Sequence, residues 1–173
     1  VEMFRLYALI VRLENIYGPT EAAVYSAWYS LAGWQGGTVP IGKPLSNVEL
    51  LVLDRAGNLQ PVGVPGELCI TGAGLARGYL NNPELTAERF NRSYRTHRTY
   101  IIYKTGDLAR WLNNGNIEYL GRIDQQVKIR GYRIELGEIE DRILQYPHIK
   151  DVVVLAKEDE KQDSKAPTRR HHG

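Results

Sequence analysis

The chain has 173 residues, 43% of them hydrophobic, with 22 basic and 20 acidic side chains and a formal net charge of +2. This is ordinary globular composition, long enough for one core or two small ones. The near balance of charge gives no reason to expect nucleic-acid or membrane-surface binding.

In chain order, an apolar run at 8–13 predicts a buried strand, and Tyr17-Gly18-Pro19-Thr20 a turn. Over 22–31 the residues alternate, with Val24, Ser26 and Trp28 on one side and Tyr25, Ala27 and Tyr29 on the other. Period 2 with aromatic and β-branched residues predicts a strand. Strands are also expected at 48–53 and 67–71, separated by a turn at 54–58 and a rigid Pro/Gly turn at 61–66. Asn82-Pro83-Glu84 is a helix start: Asn caps, Pro suits the first turn, and Glu meets the positive end of the dipole. That helix should run to about residue 90. Further strands are expected at 100–103 and 117–120, a hairpin at 126–130 and 132–134, a helix over 136–146 stopped by Pro147, and a last strand at 152–155. From Glu158 onward the sequence is polar and aperiodic, and it reads as disordered.

Four segments carry chemistry. Asn15-Ile16-Tyr17-Gly18-Pro19-Thr20-Glu21 is a tight turn with an aromatic ring, a hydroxyl and a carboxylate. It can stack a base, touch a phosphate and offer oxygen to Mg²⁺, or it is a surface turn whose Tyr packs on a core edge. Gly66-Glu67-Leu68-Cys69-Ile70-Thr71-Gly72, running on to Ala76-Arg77-Gly78-Tyr79-Leu80, taken alone is a strand, a glycine turn and a solvated Arg. Tyr103-Lys104-Thr105-Gly106-Asp107-Leu108 can present a carboxylate that accepts from a ribose diol, or it is a turn Asp bonding its own backbone. The segment 121–140 holds four cations within twelve residues: Arg122, Lys128, Arg130 and Arg133. They either meet phosphates or form a charged hairpin facing water.

Several absences bound the chemistry further. No Gly-x-x-x-x-Gly-Lys-Ser/Thr loop is present, and no Cys/His cluster has zinc spacing. Cys69 is the single cysteine, which precludes an internal disulfide and fits a reducing, cytoplasmic setting. The apolar stretch 6–11 is too short to span a bilayer, and the N-terminal residues do not read as a cleavable signal peptide.

The four segments, in this order and at this spacing, resemble the core motifs of amino-acid adenylation domains of nonribosomal peptide synthetases, within the adenylate-forming enzymes. The resemblance covers roughly residues 12–160. Pro-Glu-Leu-Thr-Ala-Glu-Arg-Phe (83–90) and Gln-Val-Lys-Ile-Arg-Gly-Tyr-Arg-Ile-Glu-Leu-Gly-Glu-Ile-Glu (126–140) are similar to the peptide-synthetase forms more than to those of acyl-CoA ligases.

The resemblance implies two half-reactions. A substrate carboxylate attacks the α-phosphate of ATP and expels pyrophosphate, and the acyl group then passes to a phosphopantetheine thiol on a peptidyl carrier protein. It implies that Tyr17 stacks on adenine with Gly18 beside it, Thr20 contacts the α-phosphate, and Glu21 binds Mg²⁺. Asp107 would hold the ribose hydroxyls, Tyr119 would lie against the nucleotide, and Arg122 would approach ribose and phosphate. Asp124 would be the hinge of a mobile C-terminal subdomain, and Lys128 would enter the site for thiol transfer. Ile16, Val24 and Tyr25 match positions lining the amino-acid pocket. The implied partners are the amino-acid substrate, the carrier protein and neighbouring synthetase domains.

The expected fold is α+β and mostly β. Residues 1–43 would be a remnant of a large N-terminal subdomain, 44–123 a small distorted β-barrel-like subdomain, and 124–160 the first half of a mobile α+β subdomain. Residues 161–173 would be a tail unlike the family. A complete domain is much longer. Its Ser/Thr/Gly-rich phosphate loop, its substrate-amine Asp and its C-terminal catalytic Lys match nothing in this sequence, which suggests a piece truncated at both ends. Two other readings stay open: part of an acyl-CoA synthetase or another adenylate-forming ligase, and a decayed, non-catalytic piece. Members of a site that act as a unit do not rescue one another. We therefore expect the 173-residue polypeptide by itself to show no amino-acid-dependent ATP–pyrophosphate exchange, and exchange above background from folded protein would refute this.

Overall fold

The computed structural model describes residues 12–93, 100–124, 126–129 and 132–157. The chain divides into two units, Val1–Asp124 and Gln125–Gly173.

The first unit is built around a five-stranded antiparallel sheet. β4 (Val48–Leu53) pairs with β5 (Gly66–Gly72), and β5 pairs with the long β7 (Tyr100–Trp111). The other edge of β7 is shared. β6 (Phe90–Ser93) takes its first half and β8 (Ile117–Arg122) its second. Register shifts between Glu67 and Cys69 and between Leu108 and Ala109 bend this sheet into a half-barrel. A smaller antiparallel sheet is formed by β1 (Glu14–Tyr17), β2 (Ala27–Ser30) and β3 (Lys43–Pro44).

Alternation explains the packing. Leu50 and Val52 of β4 stand opposite Ile70 and Leu68 of β5, and all four are buried on one face. Ala109 and Ile117 join them from β7 and β8, and Ala22, Ala27 and Ile41 from the N-terminal segment. Residues on the two sides of position 43 thus share one core. The backbone joins them too: the Ile41 N–H donates to the Ile117 carbonyl at 2.9 Å, and the Ile117 N–H to the Gly42 carbonyl at 2.8 Å. The opposite face buries Leu53, Cys69 and Ile102. Each fully buried aliphatic side chain contributes about 1.5–3 kcal/mol.

Helix α1 (Pro83–Arg89) starts as its sequence demands, with Pro in the first turn and the Asn82 side chain accepting from the Leu85 N–H at 3.0 Å. In the second unit, β9 (Val127–Ile129) and β10 (Tyr132–Ile134) form an antiparallel hairpin, followed by α2 (Leu136–Leu144). Glu140 of α2 accepts from the Val154 N–H at 2.8 Å.

Four expected elements differ. The strand expected at 8–13 lies outside the described residues apart from Arg12 and Leu13, and β1 begins at Glu14. The strand expected over 22–31 shrinks to Ala27–Ser30. Thr20–Ala22 forms a 3-10 turn, and Ala23 and Val24 adopt positive φ of 55° and 69°. The Pro19 carbonyl accepts from both Ala22 and Val24, which holds the chain in this turn. The strand expected at 100–103 continues to Trp111, through Thr105-Gly106-Asp107. Residues 152–155 are not a strand, and Val153 and Leu155 are exposed. The tail from residue 158 lies outside the described residues.

Cys69 sits between Leu51 of β4 and Lys104 of β7, fully buried. Burial, with a smaller push from the Glu67 charge, drives its thiol up to about 12. Only the thiolate is nucleophilic. A thiol-specific aromatic disulfide should therefore leave native protein unlabelled at pH 8 and label one thiol per chain after denaturation; rapid labelling of native protein would contradict this packing.

Candidate active site

The site assembles on β1, β7 and β8. Asp107 lies in the second half of β7, directly opposite Arg122 of β8. Its backbone is set by Thr105, whose hydroxyl donates to the Leu68 carbonyl at 2.6 Å and accepts from the Asp107 N–H at 3.0 Å. Gly106 between them has φ of +72°, and a Cβ there would stand 2.4 Å from an Asp124 carboxylate oxygen and 2.7 Å from an Arg122 nitrogen. Only glycine fits both the backbone and the space. The Gly106 N–H donates to Glu67 Oε1 at 3.1 Å, which ties the bulge back to β5.

The Asp107 carboxylate is buried and held from two sides. The Tyr17 hydroxyl at the end of β1 donates to Oδ2, and Arg122 Nη1 donates to Oδ1 at 2.9 Å. Arg122 then grips Asp124 with a fork, Nε to Oδ1 at 2.7 Å and Nη2 to Oδ2 at 2.5 Å. Arg89 of α1 reaches the same carboxylate at 3.4 Å. Burial alone would lower the Arg122 guanidinium, but the bonds and charges of Asp124 and Asp107 outweigh it and raise it further. Tyr119 lies on β8, over a third exposed. Its phenol is raised by partial burial and then by the Asp107 charge.

Gly18 lets the turn after β1 close. A Cβ on it would stand 2.3 Å from the Val24 carbonyl oxygen. Thr20 is exposed, whereas the next residue, Glu21, is buried and accepts from the Tyr79 hydroxyl at 2.7 Å. Ile16 and Tyr25 line a shallow concavity of about 290 Å³ together with Glu14, Trp28 and Leu45. Val24 is half-exposed and is not among those lining residues. Lys128 lies in β9, opposite Arg133 in the hairpin register, within the second unit.

The hydrogen-bonded cluster thus joins Tyr17, Asp107, Arg122 and Asp124, and it adds residues to which the motifs assigned no role. Thr105 and Glu67 shape the β7 bulge, Arg89 meets Asp124, and Tyr79 meets Glu21. Tyr79 already stood inside a glycine-rich motif, but its partner is 58 residues away and no local pattern could show it.

The family described as AMP-binding enzyme matches residues 2–80, which include the Tyr-Gly-Pro-Thr-Glu turn beside this Asp–Arg pair. The chain is 53% identical over 158 residues to tyrocidine synthase 3 of Brevibacillus parabrevis, covering 88% of this chain and 2% of that protein. It is 52% identical over 155 residues to bacitracin synthase 1 of Bacillus licheniformis, with 86% and 3% covered. Its fold matches PA1221, a nonribosomal peptide synthetase protein containing adenylation and PCP domains, at a TM-score of 0.76 and 34% identity, over 89% of this chain and 32% of that one. The fused NpsA-ThdA adenylation–PCP di-domain from Klebsiella oxytoca matches at 0.75 and 32% identity, over 91% and 33%. Over most of its residues the chain is similar to adenylation domains of nonribosomal peptide synthetases, and it spans about a third of these solved relatives and a few per cent of the synthetases. The family forms adenylates from ATP. No helix among the described residues is long and apolar enough to cross a membrane.

The Tyr17 phenol is raised above its ordinary value of about 10 by burial first, then by the Asp107 charge and the bond to it. The folded state therefore holds this proton after the unfolded chain has lost it, so stability is intact below about pH 10 and falls as pH rises beyond it. Thermal melts between pH 8 and 11 should show a steep alkaline loss that Tyr17→Phe makes shallower; an unchanged slope would contradict the Tyr17–Asp107 bond.

Proposed function

We propose that this chain forms one wall of a site that activates an amino acid with ATP, giving an aminoacyl adenylate and pyrophosphate. The acyl group is then delivered to the phosphopantetheine thiol of a carrier-protein domain, alongside neighbouring synthetase domains. The observation that carries this reading is the Tyr17–Asp107–Arg122 cluster, in which a ring, a buried carboxylate and a guanidinium converge at one strand end.

In this reading Asp107 accepts from the ribose diol, as carboxylates do in other nucleotide sites. Tyr17 offers an aromatic face to the base, Tyr119 lies against the nucleotide, and Gly18 allows the turn to pack closely. Arg122 neutralises developing charge near the ribose and phosphate, and Thr20 donates to the α-phosphate. Catalysis of this kind is chiefly positioning and charge compensation.

Mg²⁺ suits the donor set. Glu21 supplies a hard carboxylate oxygen, and no group of three or more acidic, His or Cys side chains forms a dedicated cage among the described residues. A cation held by one carboxylate and by substrate phosphates fits that arrangement. When bound, it screens the phosphate charge. Asp124 acts as the hinge, and Lys128 belongs to the hairpin that takes part in thiol transfer. Ile16, Val24 and Tyr25 contribute to the amino-acid pocket, an assignment supported for Ile16 and Tyr25 by the shared concavity. The similarity to adenylation–PCP proteins supports the carrier partner.

Calorimetric titration of the chain with ATP in Mg²⁺ should detect weak binding that either Tyr17→Ala or Asp107→Ala abolishes. Unchanged binding in both variants would remove the nucleotide assignment.

A further inference from the structure

The segment after β5 is fastened to Glu21 twice. The Ala76 N–H donates to the Glu21 carbonyl at 2.8 Å, and the Tyr79 hydroxyl donates to Glu21 Oε1 at 2.7 Å. One bond fixes the backbone of the 3-10 turn and the other fixes the carboxylate it carries.

Tyr79 is itself held from both ends. Its backbone N–H donates to the Thr86 hydroxyl of α1 at 2.9 Å. Its ring meets Phe90 edge-on, with centroids 5.7 Å apart at 69°. Phe90 in turn packs on Tyr103, centroids 5.0 Å apart, and Tyr103 is fully buried in β7. A continuous ladder of three rings thus runs from the central strand to the Glu21 carboxylate. Aromatic contacts of this kind have preferred geometries and resist rotation.

We propose that Tyr79 is a positioning residue for Glu21, orienting its carboxylate toward a nucleotide-bound divalent cation. This rests on the reading of Glu21 as the cation ligand. Two physical effects act together. A buried carboxylate is costly as an anion unless a donor compensates it, and the phenol supplies that donor. The bond also takes one carboxylate oxygen in a fixed direction, so the side chain need not be ordered when the cation arrives. Ordering an outer partner in this way is how the surroundings of a metal site tune its affinity.

Tyr79→Phe keeps the ring on Phe90 and removes only the hydroxyl. ATP binding to the full chain is titrated calorimetrically against Mg²⁺, and again in EDTA, for wild type, Tyr79→Phe, Glu21→Gln and the double variant, with melting temperatures recorded alongside. We expect Tyr79→Phe to raise the half-saturating Mg²⁺ concentration about tenfold, the scale of one hydrogen bond to a charged group. Metal-free ATP binding should stay unchanged, and Tyr79→Phe should have no further effect once Glu21→Gln is present. If Glu21→Gln weakens the Mg²⁺ dependence but Tyr79→Phe does not, the role of Tyr79 is refuted and the Glu21 reading stands. Equal weakening with and without metal also refutes it, since a merely structural role would act that way. If wild-type binding is absent or indifferent to Mg²⁺, the Glu21 reading fails and the proposal with it.

Discussion

A carboxylate buried in a β-sheet has to be compensated where it stands, and Asp107 is compensated from two different strands. Tyr17 donates from the end of β1 and Arg122 from the facing position of β8. The Arg122 bond lies within the larger sheet, but the Tyr17 bond cannot form unless the small N-terminal sheet docks on it. The shared core of Ala22, Ala27 and Ile41 with Leu50, Leu68 and Ile117 enforces that docking. The apolar packing and the polar cluster are therefore two sides of one constraint. The core brings the strand ends together, and the carboxylate makes their meeting specific, since a lost partner would leave a buried charge uncompensated.

The irregularity in β7 is what lets one strand serve both purposes. A regular strand would point successive side chains to alternate faces. Gly106 at positive φ interrupts that pattern, and the Thr105 hydroxyl and the Glu67 carboxylate tie the interruption down. The same glycine leaves room for the Arg122–Asp124 fork, so the site and the last residues of the first unit are coupled through a missing side chain. Val24 shows a related compromise. A β-branched residue at positive φ is strained, and it persists here because the Pro19 and Tyr17 carbonyls hold both ends of its turn.

Likeness and activity are separate statements for this chain. The likeness to peptide-synthetase adenylation domains extends over most of its residues, yet those residues amount to about a third of the solved relatives and a few per cent of the synthetases. What the structure brings together is a set of groups: the Tyr17 ring, the buried Asp107 carboxylate and the Arg122 guanidinium, with the Glu21 carboxylate on the turn after β1. Ile16, Tyr25 and Trp28, which line the shallow concavity, are exposed to solvent.

The sequence by itself determined the elements whose signals are local. β4 and β5 follow from period-2 runs between turn residues, α1 from Asn82 and Pro83 at its start, and the β9–β10 hairpin from two short runs around a glycine. Motif order was enough to point to the family. Three things were decided only in three dimensions. The alternation at 22–31 promised a strand, but hydrogen bonds to the Pro19 and Tyr17 carbonyls curled its first half into a turn. The Thr-Gly-Asp segment could equally have been a turn and became part of a strand, because β5 pairs on either side of it, at Lys104 and Leu108, and β8 takes Asp107. The partnerships of Tyr17 with Asp107 and of Tyr79 with Glu21 span 90 and 58 residues. Propensity and capping act within a few residues of the chain, whereas a buried polar group takes whichever partner the completed core brings to it.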